Sequence, residues 1–169
     1  MLKINFYLDS DDDRLLPGLE SYKKIWELEG EKITETIESI SGLKFKEKLI
    51  NSIIFRSVSH SHPLSLNADF VEERKKANLI HELCHRITVG RTTLFYPKME
   101  PLEFTLNSHK AIDLILYDIL TELYGEDYAK GQVELESTFR DTAKDAWDWA
   151  LSFTKEERKS KFKEILLNE

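Results

Sequence analysis

The sequence predicts an α+β fold, mainly helical, and three observations carry that reading. Residues 3–8 and 49–58 are short runs rich in β-branched and aromatic residues, the composition of strands. The longer segments between and after them repeat apolar residues at helical spacing. From residue 127 onward the chain reads as helix throughout. At 169 residues it is expected to form one domain, 1–169. Residues 1–106 would hold a small mixed sheet and a first site helix, and residues 107–169 a helical part.

Composition narrows the function classes. Hydrophobic residues make up 41 % and charged residues 33 %, the balance of a folded chain rather than a disordered one. A net charge of −7 argues against nucleic acid as main partner, because phosphate recognition needs a basic face. No apolar run is long enough to span a bilayer and no signal segment opens the chain, so no membrane partner and a cytoplasmic location are expected. The single cysteine, Cys84, allows no internal disulfide and fits a reducing compartment.

In residues 3–8, Ile4, Phe6 and Leu8 alternate onto one face. Asp9-Ser10-Asp11-Asp12-Asp13 resembles the opening of a calcium loop, but Arg14 stands where the turn glycine belongs and no Glu closes it, so a solvated acidic loop is expected. Residues 17–40 carry Leu19, Tyr22, Ile25, Trp26, Ile33, Ile37 and Ile40 at near-helical spacing, with Gly30 as a point of interruption and Ser41-Gly42 as the stop. Trp26 is read as core. The strand at 49–58 runs into Ser59-His60-Ser61-His62-Pro63, where His60 and His62 share a face without a Cys or carboxylate at ligand spacing to complete a second metal site. That strand, or residues 64–66 after it, is expected to form a sheet edge open to an extended peptide by strand addition.

The chemistry concentrates in residues 70–88, a helix capped from within 67–69 and stopped at Gly90. It contains His81-Glu82-Leu83-Cys84-His85, a His-Glu-x-x-His motif. Side chains four apart on a helix project side by side, so His81 and His85 make half of a tetrahedral zinc site, with Glu82 beside them as general base. Leu79, Ile80, Leu83, Cys84 and Ile87 fall on the opposite arc as an apolar back. Cys84 is therefore read as packing rather than as a ligand.

Residues 91–104 read as a short strand and an irregular loop over the cleft, offering Tyr96 or Arg91 to a substrate carbonyl. Asn107-Ser108 then caps a strongly apolar helix over 108–123. Asp118 sits in its middle, and a carboxylate there is costly unless paired or bound to metal. Asp118 is thus the preferred third metal ligand, with Glu122 one turn on to hold a ligand imidazole. His109 and Asp113 form a second four-apart pair pointing almost the opposite way, so only one pair can face the metal, and the third ligand stays open among these four. Three further helices, over 128–139, 141–153 and 155–167, are anchored by Trp147, Trp149, Phe153 and Phe162 and close one side of the cleft without a catalytic signal of their own.

The motif His81-Glu82-Leu83-Cys84-His85, followed by an acidic residue on a later helix, resembles the zincin metallopeptidases, and within them the gluzincin branch. The resemblance implies a small mixed sheet with an edge strand for substrate, an active-site helix and a second ligand helix. It implies zinc held by His81, His85 and a downstream acid, here Asp118 in place of the family's Glu, with Glu82 as base and Glu122 as the orienting acid. The spacing from His85 to Asp118 is longer than the shortest in the family, and the third histidine of the metzincin pattern is absent after Gly90. The function expected is a zinc-dependent hydrolase acting on a peptide or protein. The alternative is a zincin-like domain that binds a peptide or partner without cleaving it.

Overall fold

The structure is a computed structural model that describes residues 2–94 and 99–167. The order of elements is β1 (Lys3–Leu8), α1 (Leu16–Ser41), β2 (Leu49–Phe55), β3 (Leu64–Asn67), α2 (Glu72–Thr88), α3 (Pro101–Tyr124), α4 (Glu126–Ser137), α5 (Asp141–Leu151) and α6 (Lys155–Ile165). The fold is α+β and mainly helical, as the sequence predicts.

The sheet differs from expectation in being parallel throughout, in the order β1-β2-β3. Between β1 and β2 the cause is α1, a 26-residue crossover helix that returns the chain to the same end of the sheet. Between β2 and β3 it is the route of residues 56–63. The chain leaves β2 at Phe55, passes the far end of β3 and runs back antiparallel along its outer edge before entering it. Asn67 donates from Nδ2 to the Ser57 carbonyl at 2.8 Å and from its backbone N to Ser59 Oγ at 3.1 Å. His60 and Ser65 exchange two backbone hydrogen bonds of 2.9 and 2.8 Å. The edge that the sequence leaves open at β3 is therefore closed by the chain itself.

Other boundaries follow from local contacts. Gly30 does not interrupt α1: a Cβ there would lie 2.7 Å from the Trp26 ring, so glycine is what lets the indole lie along the helix. The acidic run is a turn in which Asp12 pairs with Arg14 at 2.7 Å. Helix α2 starts at Glu72 without a side-chain cap, because its N-cap residue is Val71, which has no side-chain acceptor; Asp69, farther out, pairs with Arg56 at 2.8 Å. Helix α3 starts at Pro101, well ahead of residue 108, because proline suits the first turn, where its missing N–H is not needed. Asn107 and Ser108 are consequently inside α3; they bond the carbonyls of Leu94 and Thr105 rather than capping.

After α2, the strand expected near residue 91 is a single bridge, Thr92 to Leu166, that pins this stretch to the end of α6. Tyr96 lies outside the described residues. One apolar cluster runs through the molecule, from Ile4, Ile37 and Ile54 through Leu79, Leu83 and Cys84 to Ile112, Leu116, Trp147 and Phe162. The apolar back of α2 is seated in it, with Leu79, Ile80, Leu83 and Cys84 fully buried. Burying that arc holds the opposite face of α2 toward a cleft. Among the described residues, no helix is long and apolar enough to cross a membrane.

Candidate metal centre

Helix α2 carries His81 and His85 to the cleft with their Nε2 atoms 3.2 Å apart. Helix α3 brings His109 against both, its ring centroid 5.4 Å from that of His81 and 5.1 Å from that of His85. One nitrogen from each of the three imidazoles lies within 4.8 Å of the others. Two nitrogens bound to zinc at 2.0–2.1 Å with tetrahedral angles sit roughly 3.3 Å apart, so the His81–His85 spacing matches that of a ligand pair.

The ring orientations suit the same use. His109 Nδ1 is 2.8 Å from the Thr105 carbonyl, which only accepts; the proton is therefore on Nδ1 and the Nε2 lone pair is free. The donor–acceptor pair is one turn of α3, which exists only because the helix begins at Pro101. His81 Nδ1 lies 3.5 Å from Glu136 Oε1, an imidazole–carboxylate pair from α2 and α4. Glu136 is itself gripped in the core, accepting from Trp147 Nε1 at 3.1 Å and from Arg74 Nη1 at 3.3 Å. Arg74 is in turn stacked between Phe70 and Phe139.

These contacts set the charge states. Burial raises the Glu136 carboxyl, but His81, Arg74 and Trp147 outweigh it and hold it near about 2. Burial lowers His81, but the Glu136 charge lifts it to about 9. Burial and the His81 charge push His85 well below its ordinary range and His109 down to about 4. Two of the three imidazoles thus present lone pairs, and the third, His81, holds a proton. Glu82, from the same turn of α2, is buried at the cleft wall, and that burial raises its carboxyl.

Asp118 is elsewhere. It is buried against Arg158 of α6, accepting from Nη2 at 2.6 Å and Nε at 3.2 Å. It is not part of the histidine group, and the geometry of α3 says why. Nine residues separate it from His109, which at roughly 100° per residue turns a side chain half way round the helix. With His109 toward α2, Asp118 faces α6. Glu122 is exposed and holds no imidazole; that place is taken by Glu136. Asp113, one turn on from His109, is fully buried, and burial with the nearby Glu136 charge pushes its carboxyl well above the usual range. Arg91 does not reach the cleft, donating to the Lys44 carbonyl at 2.8 Å. Of the residues around the centre, Arg74, Glu136 and Trp147 carry no local sign in the sequence. Glu136 lies in Val-Glu-Leu-Glu-Ser, which reads as a solvated helix face.

The histidines open into a cleft of about 910 Å³, walled by α2, the start of α3, the α4–α5 turn and residues 57–62. The segment 57–62 is tied along α2 by Asn78 Nδ2, which donates to Ser59 Oγ at 2.9 Å, and by Arg86 Nη1, which donates to the Ser61 carbonyl. Asn78 and Arg86 bracket His81, Glu82 and His85, so the segment runs beside the whole motif. Compared with known protein families, curated proteins and solved structures, the chain matches none. Whatever function is assigned must stand on this geometry.

Proposed function

We propose that the protein is a zinc-dependent hydrolase, a peptidase cleaving amide bonds, with His81, His85 and His109 holding the ion through their outer nitrogens. The observation that carries this is the 3.2 Å approach of two imidazole nitrogens with a third histidine closing on them and Glu82 alongside. The reading keeps the sequence's ligand pair and base and replaces Asp118 by His109.

Bound zinc supplies Lewis-acid charge and water acidic enough to lose its proton near neutral pH. With zinc bound there, Glu82 would serve as the base for that water and would hand the proton to the leaving nitrogen. Its burial matters here, because a raised pKa brings the base closer to the pH at which it must also act as acid. Glu136 keeps the His81 ring in one orientation, with its proton on the side away from the ion. Three neutral imidazoles add no negative charge to the ion, which leaves its pull on a substrate carbonyl undiminished. An extended substrate would run along residues 57–61: His60 is bonded to β3, so in antiparallel alternation the N–H groups of its neighbours turn the other way.

The test is Glu82→Gln. It should keep one zinc per chain while lowering turnover of a peptide library by roughly 10²-fold or more. Wild-type turnover in that variant removes Glu82 as the base. Absence of stoichiometric zinc in the purified wild-type protein removes the hydrolase reading altogether.

A further inference from the structure

Among the described residues, the charged side chains on the cleft wall, besides histidines, are Arg74, Glu82, Glu136 and Arg140. Two are engaged, Glu136 by His81, Arg74 and Trp147, and Arg74 by Glu136 and its two flanking rings, while Glu82 is buried. Arg140 differs. It stands exposed in the turn between α4 and α5, with no hydrogen bond or ion pair to its guanidinium among the described residues. Its neighbour Phe139 is 57 % exposed on the same wall, and Val58 faces the cleft from the other side at 55 %.

We propose that Arg140 binds a carboxylate of the substrate, and that the cleft takes a peptide presenting that carboxylate next to a bulky apolar side chain. This rests on the hydrolase reading for the word substrate, but the binding site itself does not depend on turnover. Within the cleft, Arg74 and Glu136 cancel, Arg140 offsets Glu82, and a bound divalent cation leaves the site positive although the chain carries −7. An anion is therefore drawn to the cleft, where Arg140 is a cationic side chain with no partner among the described residues, and its guanidinium fork suits a carboxylate in two-point contact. Phe139 and Val58 supply the apolar surface beside it. Carboxylate can come from a chain terminus or from an Asp or Glu side chain, and the peptides below separate these.

Binding is measured by fluorescence anisotropy on zinc-loaded Glu82→Gln protein, so that probes are not consumed. The probes are one labelled pentapeptide ending in Phe as the free acid, the same peptide amidated, and the amidated peptide with Glu before the Phe. The free acid should bind roughly tenfold or more tightly than the amide, and Arg140→Ala should erase that difference while leaving zinc content unchanged. Arg140→Lys should keep part of it. Recovery of affinity by the internal Glu assigns the site to side-chain carboxylates; failure of recovery assigns it to the terminus. A preference for the acid that persists in Arg140→Ala means the ion alone takes the carboxylate, and overturns the proposal. Equal binding of all three peptides, or no binding of any, also overturns it. Wild-type protein is assayed for cleavage in parallel. Cleavage without discrimination leaves the hydrolase standing and the carboxylate site refuted; discrimination without cleavage does the reverse.

Discussion

Two buried carboxylates in the helical half, Asp118 and Glu136, are each held by an arginine, and only one touches the histidine group. Asp118 receives Arg158 at 2.6 and 3.2 Å, a two-point contact in which both oxygens are satisfied. Glu136 receives Arg74 at 3.3 Å and Trp147 at 3.1 Å on different oxygens, and still has His81 at 3.5 Å. The difference is one of remaining demand. A carboxylate closed by a guanidinium fork has no call on a further cation, whereas one held loosely by several donors can steady an imidazole. For these two acids, then, the partner's identity rather than burial decides between scaffold and site.

The comparison breaks most visibly at Asp118. Asp118→Ala leaves the Arg158 charge buried and unpaired, which should cost about 3–5 kcal/mol of stability in denaturant unfolding. Zinc affinity of the folded fraction should not change. The opposite result, lost zinc with intact stability, would restore Asp118 as a ligand and remove His109 from that role.

Glu136 should answer the other way. Glu136→Gln keeps the side chain's shape and removes the charge facing His81, so zinc affinity measured in a metal buffer above about pH 9, where His81 has lost its proton in both proteins, should fall by about 10–100-fold. Unfolding of the metal-free protein should shift less than for Asp118→Ala. Unchanged affinity would make the Glu136–His81 pair a packing contact only.

How far the sequence could distinguish these acids is instructive. The His81-Glu82-x-x-His85 face and its back were legible because helical period is local: Leu79, Ile80, Leu83 and Cys84 are as buried as the pattern demands. On α3 the same reasoning recognised that His109/Asp113 and Asp118/Glu122 exclude one another, but both Asp113 and Asp118 are buried, so burial could not choose. The choice is made by Arg158, on a helix whose charged pattern reads as surface, and by Glu136, which looks like one more exposed acid. Both contacts span long sequence separations and leave no local trace. The early start of α3 at Pro101 was masked by Asn107-Ser108, which looks like a cap yet bonds elsewhere. The parallel sheet was hidden because nothing in residues 56–63 announces that they double back along β3.

The Glu136–His81 charge pair also predicts how zinc binding depends on pH. His81 holds a proton up to about 9 and His109 none above about 4, so between those values one proton must leave when the ion enters. Apparent zinc affinity should rise roughly tenfold per pH unit over the range accessible to a folded protein, and level off above about 9. In Glu136→Gln the levelling should move to lower pH, because the charge that raises His81 is gone. A plateau that does not move would mean that another group holds the proton.

The smallest effect expected is at Glu122, and it is informative for that reason. Glu122 and Glu136 are both acids at four-residue or longer range from a candidate ligand, but Glu122 is exposed. Glu122→Ala should change stability by no more than about 0.5 kcal/mol and leave zinc affinity as in the wild type. Any drop in affinity comparable to that of Glu136→Gln would mean that the centre draws on the outer face of α3 as well, and that half a turn of helix does not separate scaffold from site as the geometry requires.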